Sequence, residues 1–268
     1  MVREAKVTLG GQPTRYFESG AGWPVVLLHA FPLNAEMWRP QLERVPPGWR
    51  YIAPDLRGFG PGARPDDESL TMAELAADVT ALLDHLGIEQ ATIGGLSMGG
   101  YVTLALFRAA PERFTGIVLA DTRPQADTEE GRAGRRRMRE LVRARGVGAV
   151  VDEMLPKLLG ETTRRERAEV EAEVRRIAAA NSPSAIAAAL AAMMERPDSS
   201  ALLPTMSCPA LVIVGDEDVL TPPADAEAMD RQLPRSRLVT LPQAGHLSNL
   251  ETPDAFASAL ADFTRSYL

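Results

Sequence analysis

Cysteine is almost missing from this chain of 268 residues: Cys208 stands alone, which excludes an intramolecular disulfide. It sits beside Pro209 at the head of an apolar run, where burial is expected rather than reactivity. Histidine is scarce too, with only His29, His85 and His246. A zinc cluster or a nucleotide cradle finds no support in the residues, so no cofactor or metal is expected, and a general base has three candidates. Lysine is nearly replaced by arginine, and aromatic residues make up 5%. A basic excess is lacking as well; the net charge of −7 argues against a nucleic-acid binder, which needs a basic surface to neutralise phosphates. No apolar run approaches the ~20 residues that cross a bilayer. Met1 to Gly11 alternates polar and apolar residues where a signal peptide would carry a basic and then an apolar stretch. A cytoplasmic protein without membrane association is therefore expected. Internal repeats are not visible.

What is present fits one folded domain with an insertion, at 45% hydrophobic and 24% charged residues. Short runs rich in Val, Ile and Leu alternate with longer stretches of helical period, the pattern of an α/β protein with a mostly parallel sheet and helices on both faces. Eight strands are expected, at Lys6 to Leu9, Arg15 to Glu18, Val25 to His29, Arg50 to Ala53, Ala91 to Gly94, Gly116 to Ala120, Ala210 to Val214 and Arg237 to Leu241. Helices fit at Ala35 to Val45, Met72 to Leu86, Met98 to Ala110, Pro223 to Leu233 and Pro253 to Tyr267. Thr71 and Glu74 have capping-box spacing, and Gly87 closes the same helix.

Between Arg123 and Met206 the strand-like runs vanish. Val147, Val150, Val151, Met154, Leu155, Leu158 and Leu159 recur at helical spacing, as do Ile186, Leu190, Met193 and Met194. Ser182 followed by Pro183 is a sound helix start. About four short helices are expected here as a lid over residues 123–206, with residues 1–122 and 207–268 forming the core.

Gly95-Leu96-Ser97-Met98-Gly99-Gly100 lies between an apolar strand and a helical run. A nucleophile on a sharp strand-to-helix turn needs neighbours without bulk, and glycines on both sides of Ser97 supply the room. A helix N-terminus there also favours developing negative charge. Such a turn can be merely structural, so the reading depends on partners. A serine hydroxyl needs a base within hydrogen-bond reach. His85 is near the end of an amphipathic helix, and His29 ends a strand where an imidazole could brace a loop. His246, on a small-residue loop after the last strand, is where a mobile base is expected. Asp216, Glu217 and Asp218 follow the strand Ala210 to Val214. They form either a solvated turn or the source of the acid that holds the imidazole tautomer; the chain order Ser97, Asp218, His246 favours the second.

On these residues the chain resembles the α/β-hydrolase family over nearly its whole length, and within it the esterase and 3-oxoadipate enol-lactonase branch. His29-Ala30-Phe31-Pro32 is similar to the family's oxyanion loop, Asp55-Leu56-Arg57-Gly58-Phe59-Gly60 to its DxRGxG segment, Gly215 to Asp218 to its acid turn, and Gly245-His246 to its base motif. The resemblance implies Asp218 rather than Asp216 as the triad acid, and the backbone N–H groups of Phe31 and Met98 as the oxyanion hole. Ala30 departs from the family's usual glycine, and its methyl group could narrow the backbone there. Asp121 ends the strand before the lid, where some relatives carry the acid, and is the alternative. Asp55 and Arg57 are expected to form a buried loop ion pair. His29, Met37 and Trp38 are candidate pocket residues, together with Phe31 and Met98; core packing competes for each.

The expected reaction is attack by Ser97 on a small or medium acyl ester, through an acyl-enzyme that water releases. A lactone hydrolase like the enol-lactonases is the nearest alternative. A carbon–carbon lyase, a cofactor-free oxygen-using enzyme or a signal sensor with the same triad is further off, since a fold does not fix a reaction. The partner is thus a small-molecule ester or lactone, with no nucleic acid and no membrane; the sequence leaves the oligomeric state open. Arg132, Arg135, Arg136, Arg137, Arg139, Arg143 and Arg145 crowd one lid helix. Because the lid carries 15 basic and 13 acidic residues, pairing is expected, with an inward arginine for a substrate carboxylate as the alternative.

Overall fold

The computed structural model describes residues 1–9, 11–63 and 70–266; the expected helix end at Tyr267 lies outside them. The alternating N-terminal segments pair as an antiparallel hairpin, β1 (Arg3–Leu9) and β2 (Gln12–Gly20), turned at Gly11 with φ +83°. The apolar runs form β3 (Trp23–Leu28), β4 (Trp49–Pro54), β5 (Ala91–Leu96), β6 (Phe114–Ala120), β7 (Ala210–Gly215) and β8 (Ser236–Leu241). They make one eight-stranded sheet in the order β1-β2-β4-β3-β5-β6-β7-β8. β2 meets both its neighbours antiparallel, and β4 through β8 are parallel. Every residue of β5 and β7 is buried, as strands covered on both faces require.

Three helices, α1 (Arg39–Leu42), α2 (Met72–His85) and α3 (Met98–Ala109), lie before β6. The Thr71 capping box is formed in both directions, with Glu74 N–H on Thr71 Oγ1 at 3.1 Å and Thr71 N–H on Glu74 Oε2 at 2.8 Å. The helix expected over Ala35 to Val45 is instead a 3₁₀ turn (Ala35–Trp38) followed by the single turn of α1. Pro40 has no N–H to carry an α-helical bond back to residue 36, so the chain tightens before it.

Between β6 and β7 the chain is helical: α4 (Glu129–Leu158), α5 (Glu161–Glu166), α6 (Ala168–Ala179), α7 (Pro183–Met194) and a 3₁₀ turn (Ser200–Thr205). The first of the expected short helices, α4, is two helices within one span of 30 residues, joined where Gly146 takes φ +78° and leaves helical geometry. Glycine lets the axis change direction while the apolar spacing continues on both sides. Ser182 caps α7 as expected, accepting Ala185 N–H at 3.2 Å. After β7 come α8 (Pro223–Asp230), α9 (Ser248–Glu251) and α10 (Pro253–Ser266). Among the described residues no single helix is long and apolar enough to cross a membrane.

The loops following β3, β4, β5, β6, β7 and β8 all leave from the carboxyl ends of parallel strands, the edge where open α/β sheets collect reactive groups. Ser97, Asp121, Asp218 and His246 lie in four of them.

Candidate active site

Ser97 is the one residue between β5 and α3, held at φ 55° and ψ −111°. A non-glycine residue there is strained, and its neighbours fix it. Ser97 N–H donates to Ala120 O at 2.9 Å, and Ser97 O accepts the Thr122 hydroxyl at 2.9 Å. The surrounding glycines are needed for close approach. A Cβ at Gly95 would come within 2.4 Å of Gly99 C, and one at Gly99 within 2.1 Å of Leu28 O. Because the obstacle at Gly99 is main chain, Gly99→Ala should force α3 and β3 apart, costing about 1–3 kcal/mol. A lowered Tm together with a reduced kcat is the expected result, from thermal unfolding and steady-state assays.

His246 lies between β8 and α9, with its Nε2 2.8 Å from Ser97 Oγ and its Nδ1 2.8 Å from Asp218 Oδ2. Both links are good hydrogen bonds, so the three side chains named from the sequence form one continuous relay. Asp218 is buried and well supplied with donors. Its Oδ1 accepts the N–H groups of Leu220 at 2.8 Å and Thr221 at 3.0 Å, and its Oδ2 the Thr221 hydroxyl at 2.6 Å. Burial alone would raise this carboxyl, but the His246 ring and these hydrogen bonds outweigh it and hold Asp218 below the ordinary carboxylate range.

Asp121 does not touch the imidazole; its Oδ1 accepts Gly215 N–H at 2.9 Å and its Oδ2 the Ser248 hydroxyl. Burial, with the charge of Asp218 added, pushes its carboxyl well above the usual value. It ties the end of β6 to the end of β7 at Gly215 and to the start of α9 at Ser248.

The loop after β3 bends through a cis Phe31–Pro32 bond and closes with Leu33 N–H on Ala30 O at 2.9 Å. Ala30 is fully buried and takes no positive φ, so its methyl group is accommodated without strain. Asn34 and Asn181 brace this loop: Asn181 Nδ2 donates to Pro32 O at 2.8 Å, and its Oδ1 accepts Gly60 N–H at 2.8 Å. Asn34 Nδ2 reaches Asn181 Oδ1 at 3.3 Å. Met98, the first residue of α3, has an N–H with no partner inside the helix, as every helix start does.

The expected pocket residues are placed otherwise. His29 is fully buried, with Nε2 accepting Leu56 N–H at 3.0 Å and Nδ1 donating to Ala30 O at 3.1 Å. It therefore braces two loops rather than facing substrate. Met37 packs beneath the loop after β3, its sulfur 3.2 Å from Ala30 N, and Trp38 packs against Phe256 with the rings tilted by 54° and centroids 5.6 Å apart. Both belong to the core. Burial pulls the His29 ring down to about 4. Its contribution to stability is complete above the unfolded value of about 6.5 and is lost as the pH falls through the folded value, about 3 kcal/mol in all. Urea midpoints at pH 7 and pH 4.5 should diverge more for the wild type than for His29→Gln.

The Asp55–Arg57 pair is also corrected. Asp55 instead binds Arg15 at 2.7 Å and Ala35 N–H at 2.8 Å, while Arg57 pairs with Asp78 of α2 at 2.6 Å. On α4, Arg135 pairs with Asp127, and Arg136 and Arg137 with Glu129 at 2.6 Å and Glu153 at 2.5 Å. Arg196, just past the end of α7, is a buried arginine of the inserted segment, 4% exposed; it binds Asp127 at 2.7 Å and lies over the Tyr101 ring. The sequence reading assigned no role to Thr221, Asn34 or Asn181.

A family model described as alpha/beta hydrolase fold matches residues 24–253. The chain is 32% identical to 3-oxoadipate enol-lactonase 2 of Acinetobacter baylyi, over 85% of this chain and 83% of that one. It is 32% identical to the pimeloyl-[acyl-carrier protein] methyl ester esterase of Neisseria meningitidis serogroup C, over 89% and 92%. Among solved structures, a thermophilic esterase from Thermogutta terrifontis superposes with a TM-score of 0.94 at 40% identity, covering 99% of each chain.

Proposed function

The chain belongs to the α/β-hydrolase family, and from that premise we propose that it is a carboxylic ester hydrolase with Ser97 as nucleophile, His246 as general base and Asp218 as the acid. The observation that carries the reading is the unbroken relay, with 2.8 Å on each side of the imidazole. With Nδ1–H donated to the Asp218 carboxylate, Nε2 is left as an acceptor for the Ser97 proton. Attack by Oγ on the ester carbonyl transfers that proton to Nε2; the imidazolium then protonates the departing alkoxide. Water, deprotonated by the same ring, releases the acid from the acyl-enzyme. The N–H groups of Phe31 and Met98 would hold the oxyanion, each worth ~2.7–4 kcal/mol of barrier. A carboxylate held low in pKa suits the acid's task, because Asp218 must stay charged to stabilise the imidazolium.

The substrate is a small-molecule ester of small or medium acyl length. A lactone is the second reading, supported by likeness to the 3-oxoadipate enol-lactonase of A. baylyi. A hydrolysis panel of short and long nitrophenyl esters, lactones and carboxylated esters tests both. Multiple turnovers on an ester are expected, and a single stoichiometric acylation would point to a sensor instead. Given the α4 pairings, a carboxylated ester should show no rate advantage over its neutral analogue.

A further inference from the structure

Glu251 is 2% exposed, lies at the close of α9, and no step of the relay uses it. Its Oε1 accepts the N–H groups of Gly245 at 3.0 Å and Leu247 at 3.2 Å, the residues on either side of His246. Its Oε2 accepts Gly160 N–H at 2.8 Å, in the turn between α4 and α5. One buried carboxylate thus holds both flanks of the base to the inserted helices. The contact is close in the main chain as well. Leu247 N–H donates to Leu158 O at 3.2 Å, and a Cβ on Gly245 would lie 2.2 Å from Gly160 N. Arg167 closes the other side, donating to Gln243 O at 2.6 Å and to Glu251 O. Glu217, beside Asp218, grips the same turn through Thr162 N–H at 2.8 Å, yet its side chain does not reach the residues flanking His246.

We propose that Glu251 is a positioning residue, joining the α4–α5 turn to the main chain on both sides of His246 so that the imidazole is aligned on Ser97 only while that turn is docked. This rests on His246 being the base. A carboxylate is required because three N–H donors converge on it from two segments. A glutamine offers one oxygen and turns an NH2 toward the remaining donors, so one side of the clamp must open. Displacing a catalytic group by about 1 Å can cost ~100-fold.

The test compares Glu251→Gln with Glu217→Gln, which loosens the same turn without touching the base loop. Glu251→Gln should lower kcat about 10- to 100-fold with KM little changed, and slow fluorophosphonate labelling of Ser97 by a similar factor. Glu217→Gln should label at close to the wild-type rate. Equal labelling rates for Glu251→Gln and wild type, or equal slowing in both variants, would overturn the proposal. Should the glutamine variant not fold, Glu251→Asp keeps the buried charge but is one methylene too short to span both segments, and the same slowing is expected; wild-type labelling in it would overturn the proposal. A wild-type protein that fails to label at all would instead defeat the assignment of the relay.

Discussion

Ser97→Ala should lose turnover by about 10⁴- to 10⁶-fold in kcat and all labelling by a fluorophosphonate, with its Tm at or near the wild-type value. The loss is large because the hydroxyl oxygen forms the covalent bond to the substrate carbonyl in the first half of the reaction, and that same bond is the one water breaks in the second. The fold should tolerate the change. Among the described residues the hydroxyl's partner is His246 Nε2 at 2.8 Å, whereas the strained backbone at φ 55° is held by main-chain and Thr122 contacts that alanine leaves intact. Parallel measurements of kcat, labelling and thermal unfolding on the purified variant check all three parts.

The second large effect separates two buried aspartates. Asp218→Asn should lower kcat by about 10⁴-fold, since an amide facing Nδ1 either donates where the ring must donate or accepts without the charge that stabilises the imidazolium. Asp121→Asn should stay within about tenfold of wild type, the scale of one rearranged hydrogen bond. Asp121 meets Gly215 N–H and the Ser248 hydroxyl, not the ring, and burial with the Asp218 charge raises its carboxyl. An amide has nearly the same shape and can still accept Gly215 N–H. Steady-state kinetics on one good nitrophenyl ester is sufficient, and a collapse of activity in Asp121→Asn with survival in Asp218→Asn would reverse the two roles.

What the sequence made legible follows from range. Strands β5 and β7 were readable because a strand buried on both faces must be apolar at every position, and the capped helix α2 because its signals sit within a few residues of its ends. The Ser97 turn was readable for the same reason: glycines pressed against Gly99 and Leu28 leave a local trace. Partners set by sheet order were not. Arg15 reaches Asp55 because β2 runs antiparallel to β4 in the register Tyr16↔Pro54, and nothing near either residue encodes that pairing. Asn181 bracing Pro32 and Glu251 clamping Gly160 depend on where the inserted helices dock, across 149 and 91 residues. Met37 and Trp38 show a different limit, since apolar side chains next to an active-site loop suit a pocket and a core equally well.

The central claim is that Ser97 becomes acylated and is then freed by water. Intact-protein mass spectrometry after rapid mixing with a nitrophenyl ester, followed by peptide mapping, measures this directly. The account predicts a single acyl adduct on Ser97 that disappears as substrate is exhausted, and no adduct in Ser97→Ala. Sustained hydrolysis with an adduct on another residue, or undiminished hydrolysis by Ser97→Ala, would contradict it.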